Sequence, residues 1–430
     1  MQTHPTTLAE WLTLLESRHF KVIDLGLDRV AQVKERLDIQ FKCPVIVVGG
    51  TNGKGSTCAM LESILLRAGY RVGLYIKPHF LHFNERARVR GECATDAALI
   101  ASFEAVEAKR GDISLTYFEF TTLAIVHLFA QLDLDVVILE VGLGGRLDAV
   151  NVFDGDVSIV TSVDIDHTEY LGDTREAIGF EKAGIFRAGK PAICADPVAP
   201  QSLVKHAESI GADLWLFGRD FNYSGDKQQW NYGGREQRRN SLGYPSLRGA
   251  NQLLNASAVL AALEVLRLRL PVGAQEVRTG LMTVELPGRF QVLPGRPTVV
   301  LDVAHNPHAA AALAQNLDNM GFHRLTYAVF GSMLDKDIDG VINHLKSSVD
   351  HWCVTDLPLP RAASAQQIAD KLLQAGVQPN QRPGEERSIE TFTSPADAYA
   401  NAISRAGEND RIVVFGSFLT VAGVMNLRNS

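Results

Sequence analysis

Cysteine is scarce in this sequence, and the few copies form no recognisable pattern. The five cysteines among 430 residues are an odd number and include no C-x-x-C pair: Cys43, Cys58, Cys93, Cys194 and Cys353. A disulfide framework uses an even set of cysteines, and a thiolate zinc site uses closely spaced ones. The sequence therefore favours neither, and its cysteine use is typical of a reducing cytosol. We predict a cytoplasmic protein.

Long apolar runs and basic clusters are also missing. No apolar stretch approaches the roughly 18 residues of a membrane-spanning helix, and the N-terminus lacks the cationic and apolar segments of a signal peptide. The formal net charge is -7, and no long run of lysine or arginine occurs. We therefore expect no nucleic-acid or membrane partner. The length favours a globular protein of two domains.

The sequence instead alternates short apolar runs with amphipathic helical stretches. Apolar runs occur at residues 45–49, 72–76, 136–141, 158–163, 298–303, 326–330, 352–355 and 411–415. This alternation predicts an α/β fold with mostly parallel sheets covered by helices. A polar and aromatic stretch at 218–244 predicts a hairpin or a long loop, and turn-forming residues are dense at 286–297. We predict an N-terminal domain at 1–288, a linker at 289–297 and a smaller, Rossmann-like α/β domain at 298–430.

A glycine-rich run follows the first predicted strand and opens a predicted helix. Residues 49–57 read Gly-Gly-Thr-Asn-Gly-Lys-Gly-Ser-Thr. In such a loop, backbone amides and the helix N-terminus surround phosphate oxygens, Lys54 meets the terminal phosphates, and Ser56 or Thr57 reaches Mg²⁺. Gly55 stands where the general pattern has Ser or Thr, so the hydroxyl is shifted by one residue. The expected ligand is ATP.

Acidic and polar residues follow other predicted strands at their carboxyl ends. Glu140 ends one strand and leads into a glycine-rich segment at 141–148, His167 follows the next strand, and Asp302 and His305 follow a strand of the second domain. Ligands of α/β sheets bind at this end of the strands. Glu140 and His167 are therefore candidate Mg²⁺ ligands, and a strand-end surface carboxylate and a solvated histidine are the alternatives.

Several motifs together resemble those of the Mur-ligase-like folate ligase family over nearly the whole chain. They lie at residues 50–56, 117–121, 140–148, 166–167, 181–185, 286–290 and 302–307. The resemblance implies a Mur-ligase-like fold, with an N-terminal P-loop ATPase domain and a C-terminal glutamate ligase domain. It implies ATP and Mg²⁺ as cofactors, with a monovalent cation such as K⁺. The implied partners are small molecules, namely ATP, L-glutamate, dihydropteroate and reduced folates. We expect the protein to be a monomer.

The same resemblance implies roles for single residues. The implied ATP-binding residues are Thr51, Asn52, Gly53, Lys54, Gly55, Ser56, Asn251, Arg289 and Asp302. The implied pterin-binding residues are Leu25, Gly26, Leu27, Arg29, Phe118, Arg146, Leu147 and Asp148. The implied metal ligands are Ser56, Glu140 and His167, and the implied catalytic residues are Lys54, Lys182 and His305. Phe118 would stack on the pterin ring, and Asp148 would accept hydrogen bonds from a pterin amine.

The resemblance also has specific implications for two lysines, Lys182 and Lys77. Lys182 would be carboxylated by CO₂, which turns a cation into a carboxylate and requires a neutral amine first. Lys77 stands before Pro78 where relatives have a serine that binds the metal, and a protonated lysine cannot bind a metal. Water replaces that ligand, or Lys77 supplies charge to the phosphates, or one of two metal sites is weaker.

The implied reaction is ligation through an acyl phosphate. A carboxylate of dihydropteroate, or the γ-carboxylate of a reduced folate, attacks the γ-phosphate of ATP, and the amine of L-glutamate then forms the amide. The segment at 111–119 resembles that of family members that use both acceptors.

Three alternatives to this reaction agree less well with the sequence. A peptidoglycan Mur ligase is disfavoured because only about 44 residues precede the first core strand, fewer than a usual domain. A P-loop ATPase switch leaves the motif at 302–307 unexplained. A degenerate ligase that binds folate without turnover is motivated only by Lys77, and the presence of Lys54, Glu140, His167 and Lys182 speaks against it.

Overall fold

The computed structural model describes residues 5–19, 24–226, 228–249, 251–382 and 385–429. The chain divides into two compact units. The first unit comprises Met1–Ser246 and Leu253–Val284, and the second comprises Leu247–Gln252 and Glu285–Ser430.

The first unit is built on a mostly parallel sheet. Its strands are β1 (Val45–Gly49), β2 (Val72–Tyr75), β3 (Ala87–Val89), β4 (Glu92–Cys93), β5 (Val136–Glu140), β6 (Val157–Val160), β7 (Pro191–Cys194) and β8 (Asp213–Leu216). In the described residues the strand order is β4-β3-β2-β5-β1-β6-β7-β8. Strands β2, β5, β1, β6, β7 and β8 pair in parallel. Strands β3 and β4 extend the sheet beyond β2 and are antiparallel to their neighbours. The carboxyl ends of β2, β5, β1 and β6 therefore lie side by side.

Helices surround this sheet. They are α1 (Leu8–Arg18), α2 (Asp28–Arg36), α3 (Lys54–Arg67), α4 (Asp96–Arg110), α5 (Tyr117–Ala130), α6 (Thr168–Leu171), α7 (Arg175–Ala183), α8 (Gln201–Ile210), α9 (Gln252–Val265) and α10 (Ala274–Thr283), with 3₁₀ turns at Phe83–Arg86 and Ala149–Val152. Strands β1 and β5 are buried along their whole length. They read as continuous apolar runs because helices cover both faces of a parallel sheet.

The polar and aromatic stretch before α9 forms a small antiparallel sheet. Its strands are β9 (Asn222–Gly225), β10 (Trp230–Gly233) and β11 (Arg238–Leu242), in the order β11-β10-β9. The prediction of a hairpin or long loop was therefore incomplete, because β9 adds a third strand. Trp230, Tyr232 and Leu242 are buried while Asn222, Arg238 and Asn240 are exposed, which explains the mixed composition.

The second unit is another mostly parallel sheet with helices. Its strands are β12 (Gln291–Leu293), β13 (Thr298–Leu301), β14 (Thr326–Phe330), β15 (His351–Thr355), β16 (Asn380–Arg382), β17 (Glu385–Phe392) and β18 (Arg411–Phe415). Its helices are α11 (Pro307–Asp318), α12 (Ile338–Leu345), α13 (Ala365–Gln374), α14 (Pro395–Arg405) and α15 (Phe418–Asn429). The strand order is β12-β13-β18-β14-β15-β17-β16, and the two edge strands are antiparallel.

The predicted α/β fold is confirmed in both units. The predicted linker at 289–297 contains β12, which pairs with β13 from Gln291 to Leu293. In the described parts of the chain, no helix has the length and apolar character needed to cross a membrane.

Candidate active site

The glycine-rich run forms the turn between β1 and α3. Strand β1 ends at Gly49, and α3 begins at Lys54 after Gly53, which has the left-handed φ of 87°. Ser56 and Thr57 are buried in the first turn of α3. The amides of a helix's first turn point out of its N-terminus, where the helix dipole favours an anion. The predicted strand, loop and helix of a phosphate site are therefore present in the required order.

Hydrogen bonds from the segment after β6 hold this loop. The Thr51 amide donates to the Ser162 carbonyl at 2.7 Å, and the Asn52 amide donates to Ser162 Oγ at 3.0 Å. Thr161 Oγ1 donates to the Asn52 carbonyl at 2.6 Å. These contacts explain why β6 ends at Val160, before the end of the predicted run at 163. The phosphate loop and the segment leading to His167 are thus directly bonded.

Lys54 folds over the loop from which it comes. Its Nζ donates to the carbonyls of Gly50 at 2.9 Å and Thr51 at 3.1 Å. This position keeps the ammonium beside the first turn of α3, where the predicted role in binding phosphate needs it.

Asn255 is a contact of this loop that the sequence analysis missed. Asn255 is buried on α9, and a Cβ placed on Gly53 would lie 2.5 Å from Asn255 Oδ1. About 200 residues separate the two positions in sequence, so no local motif connects them. The predicted nucleotide residue on this segment was Asn251, which precedes α9 and falls in the second unit.

We expect Gly53→Ala to lose nucleotide binding while Gly69→Ala keeps it. Both glycines have φ near 87°, so alanine strains either backbone by about 1 kcal/mol. At Gly53 the added methyl also collides with Asn255, whereas no atom lies within 4 Å of a Cβ at Gly69. Titration of each variant with Mg²⁺ and a non-hydrolysable ATP analogue checks this difference. Equal binding by the two variants would contradict it.

Lys182 is a buried amine near Lys54. It lies near the end of α7, which ends before Gly184 as the sequence predicts, and its exposed fraction is 3%. Burial and the charge of Lys54 lower the pKa of Lys182, Asp166 opposes them, and the resulting pKa is about 7. A substantial fraction of Lys182 is therefore neutral at physiological pH, and the neutral amine is the form that reacts with CO₂.

The glycine-rich segment after β5 packs on the helix that carries Lys182. The Arg146 amide donates to the Glu181 carbonyl at 2.8 Å, and a Cβ on Gly145 would lie 2.9 Å from the Lys182 carbonyl. Arg146 Nη2 also pairs with Glu181 Oε1 at 2.8 Å. Glycine is required here because two backbone segments approach closely.

Glu140 and Lys77 meet at the ends of the neighbouring strands β5 and β2. Glu140 is 2% exposed, and its Oε2 accepts the Lys77 amide at 2.7 Å. Burial lowers the pKa of the Lys77 amine, the carboxylates of Asp148 and Glu140 oppose this shift, and the resulting pKa is about 8. The Lys77 side chain lies against Tyr75 and Phe118, with Nζ 4.0 Å and 4.5 Å from the two ring centroids.

The predicted metal ligands are one hydroxyl, one carboxylate and one histidine. Ser56 is on the first turn of α3, Glu140 ends β5, and His167 precedes α6 with a φ of 52° and a side chain 38% exposed. In the described ranges, no three His, Cys, Asp or Glu residues cluster closely enough to hold a metal by themselves. Mg²⁺ on a nucleotide typically has one or two protein carboxylates, with waters and phosphates as its other ligands. The buried Glu140 beside the phosphate loop fits that arrangement.

Phe118 and the segment before α2 form a second group of predicted residues. Phe118 is on the first turn of α5, and the next residue, Glu119, accepts from Arg29 Nη2 at 2.9 Å. Arg29 also pairs with Asp24 at 2.7 Å. This pair of contacts places Leu25, Gly26 and Leu27 near the start of α5, and Leu25 is 38% exposed.

Asp148 holds the backbone of the glycine-rich segment. Its Oδ2 accepts the amides of Gly142 and Leu143, and its Oδ1 accepts the amide of Val150, each at 2.9 Å. A carboxylate has about four acceptor positions, so one remains for the predicted pterin contact. Leu147 precedes it and is half-buried.

In the second unit, the predicted residues Arg289, Asp302 and His305 lie near the carboxyl end of β13. Asp302 accepts the amides of Phe290 at 2.8 Å and Ala304 at 2.7 Å. Burial raises the pKa of Asp302, and the Arg289 guanidinium opposes this shift. His305 Nδ1 lies 2.8 Å from the Val303 carbonyl. The polar group at this strand end is therefore built as the sequence predicts, with Asn306 capping α11.

Comparison with known proteins gives a consistent result over the full chain. Residues 48–263 match the Mur ligase middle domain, and residues 288–418 match the Mur ligase glutamate ligase domain. The dihydrofolate synthase/folylpolyglutamate synthase of Escherichia coli K12 is 45% identical over 98% of this chain and 95% of its own length. The structure of E. coli FolC with DHPP and ADP superposes with a TM-score of 0.92 at 44% identity, covering 99% of this chain and 98% of that one.

A second solved structure adds other ligands. It is a bifunctional folylpolyglutamate synthase/dihydrofolate synthase with Mn, AMPPNP and L-glutamate bound, at a TM-score of 0.90 and 44% identity, covering 99% of this chain and 98% of that one. The resemblance drawn from the sequence motifs is thereby confirmed. The chain belongs to the dihydrofolate synthase/folylpolyglutamate synthase family of Mur ligases.

Proposed function

We propose that this protein joins L-glutamate to dihydropteroate, giving dihydrofolate, and to the γ-carboxylate of reduced folates, with conversion of ATP to ADP and phosphate. The observation that carries the proposal is the buried amine of Lys182 near Lys54 at a phosphate loop, in a chain of this family. A substrate carboxylate has no leaving group, so it must be activated before an amine can displace its oxygen. Transfer of the γ-phosphoryl group provides that activation.

The protein residues act mainly by binding and by charge. The loop from Thr51 to Ser56 binds the nucleotide phosphates, and Lys54 stabilises negative charge on the phosphoryl group as it moves. Ser56, Glu140 and His167 would hold Mg²⁺, which would supply further charge neutralisation at the phosphates. Lys182, once carboxylated, would supply a fixed negative group that orients the metal site.

Other residues select the acceptor. Phe118 and the segment Leu25–Arg29 bind the pterin part, together with Arg146, Leu147 and Asp148. In the second unit, Asn251, Arg289 and Asp302 are proposed nucleotide contacts, and His305 is a proposed catalytic residue. The N-terminal domain (1–288) would then bind ATP and pterin, and the C-terminal domain (298–430), after the linker at 289–297, would serve the glutamate step.

The proposal extends to the setting in which the protein acts. A net charge of -7 supports small-molecule partners, with neither nucleic acid nor membrane among them, and the scarce cysteines support a cytoplasmic location. A monomeric state is part of the same proposal. A monovalent cation such as K⁺ is a proposed activator.

The test is phosphate release by the purified protein with ATP, Mg²⁺ and L-glutamate, with dihydropteroate or tetrahydrofolate added in separate reactions. We expect release that requires both glutamate and an acceptor, with products that are heavier by one glutamate residue in a mass spectrum. Turnover with one acceptor alone would restrict the proposal to that activity. Phosphate release that is indifferent to glutamate and pterin would contradict it and favour an ATPase switch.

A further inference from the structure

Lys77 lies at the carboxyl edge of the central sheet, among the proposed active-site residues. Strand β2 ends two residues before it, and β2, β5 and β1 are neighbours in the sheet. The amide of Lys77 donates to Glu140 Oε2 at 2.7 Å, so its backbone is fixed to the end of β5. Its position is therefore set by the same edge that carries the phosphate loop after β1.

The ammonium group of Lys77 lies between aromatic rings and has unused donors. Nζ is 4.0 Å from the centroid of Tyr75 and 4.5 Å from that of Phe118. It is buried, and it has no hydrogen-bond partner among the described residues. A lysine ammonium has three donors, and a buried donor without an acceptor is unfavourable. Cation–π contacts offset part of this cost but provide no lone pair to accept a hydrogen bond.

The nearby acids do not satisfy these donors. Both oxygens of Asp148 accept backbone amides of Gly142, Leu143 and Val150, and Glu140 Oε2 accepts the backbone amide of Lys77 itself. Arg86 is a second cation near the same group. The surroundings thus combine a positive charge, unpaired donors and an aromatic wall, a combination that suits an aromatic carboxylate.

We propose that Lys77 binds the reacting carboxylate of the acceptor through its ammonium group and so positions that carboxylate for attack on the γ-phosphate. This inference rests on the proposed function and assigns a specificity residue within it. The ammonium provides a charge-assisted hydrogen bond to a carboxylate oxygen, which is stronger than a bond to a neutral carbonyl oxygen. A neutral carboxamide of the same shape would lose that advantage.

The experiment compares binding of pteroate and its primary carboxamide, measured by calorimetry in the presence of ADP. We expect the wild-type protein to bind pteroate about tenfold or more tightly than the carboxamide. Lys77→Met retains most of the side-chain length without its charge, and we expect it to bind the two ligands with affinities within about threefold. Carboxamide affinity should be nearly unchanged by the substitution, because the aromatic contacts remain.

Lys34→Met is the matched control. Lys34 Nζ also lies over a phenylalanine ring, at 5.2 Å from the Phe153 centroid, but it donates to the Val152 carbonyl at 2.6 Å. This variant should keep the preference for pteroate. Lys77→Arg, which retains the charge, should keep a preference for pteroate that Lys77→Met loses.

Two results would overturn the inference. One is a Lys77→Met protein that still prefers pteroate as the wild type does. The other is loss of Mn²⁺ and AMPPNP binding in Lys77→Met with an unchanged preference for pteroate, which would place Lys77 at the metal. A wild-type protein that binds neither pteroate nor its carboxamide would instead count against the proposed function itself.

Discussion

Lys182→Ala is expected to lower kcat by about 10³-fold and to leave dihydropteroate binding within about threefold of the wild type. The magnitude is that of losing one preorganised electrostatic group in an enclosed site. Burial and the charge of Lys54 lower the pKa of Lys182 to about 7, so its neutral amine can attack CO₂. The nitrogen loses a proton, an N–C bond forms, and a positive group becomes a carboxylate.

Several measurements separate this role from simple packing. A carbamate from ¹³C-labelled CO₂ should give a carbonyl NMR signal in the wild type that is missing in Lys182→Ala. Acetate should partly restore turnover to the variant, since it supplies the missing carboxylate. Lys109→Ala, which removes an exposed lysine of α4, should behave as wild type. A fully active Lys182→Ala protein would show that no carboxylated lysine is needed.

The wild type should also show a defined pH dependence at fixed dissolved CO₂. The neutral fraction of Lys182 is small well below its pKa of about 7 and rises as the pH passes through that value. Carbamate formation and turnover should therefore increase between about pH 6 and pH 8. The increase should be missing from the acetate-rescued Lys182→Ala variant.

Lys54→Met is expected to lower kcat/KM for ATP by about 10²- to 10³-fold, because charge on the transferring phosphoryl group loses a direct partner. A second effect follows from the electrostatic repulsion between the two lysines. The charge of Lys54 lowers the pKa of Lys182, so its removal should raise that pKa. The rising limb of the pH profile should then move to higher pH.

Kinetics over a range of pH and CO₂ concentrations check both effects. Because the two lysines interact, the double variant should lose less activity than the two single losses combined. Strict additivity would show that Lys54 and Lys182 act independently, and an unmoved pH limb would contradict the electrostatic coupling.

The elements around the phosphate loop were predictable because their signals are local. Strand β1, the turn to α3 and the end of α7 at Gly184 each follow from a few adjacent residues. The buried strands of both sheets were recognisable as apolar runs, since helices cover both faces. For the same reason, the positions of Glu140 and Asp302 at strand ends were predictable from the sequence.

Features that depend on distant contacts were not predictable. The approach of Asn255 to Gly53 results from the packing of α9. The pairing of strand Gln291–Leu293 with β13 occurs in a segment rich in turn-forming residues, which hide the strand in the sequence. The position of Lys77 Nζ between Tyr75 and Phe118 likewise requires β2 and α5 to be in place. Contacts between residues that are far apart in sequence leave no signal in amino-acid composition or hydrophobic periodicity.

The bonds between the phosphate loop and the segment after β6 have a thermodynamic consequence. The amides of Thr51 and Asn52 and the carbonyl of Asn52 are already bonded to Thr161 and Ser162 by the fold itself. The entropy lost in ordering these residues is therefore incurred when the protein folds, and nucleotide binding does not incur it again. Loosening Thr161 or Ser162 should weaken nucleotide affinity as an entropic change, although neither residue needs to touch the nucleotide.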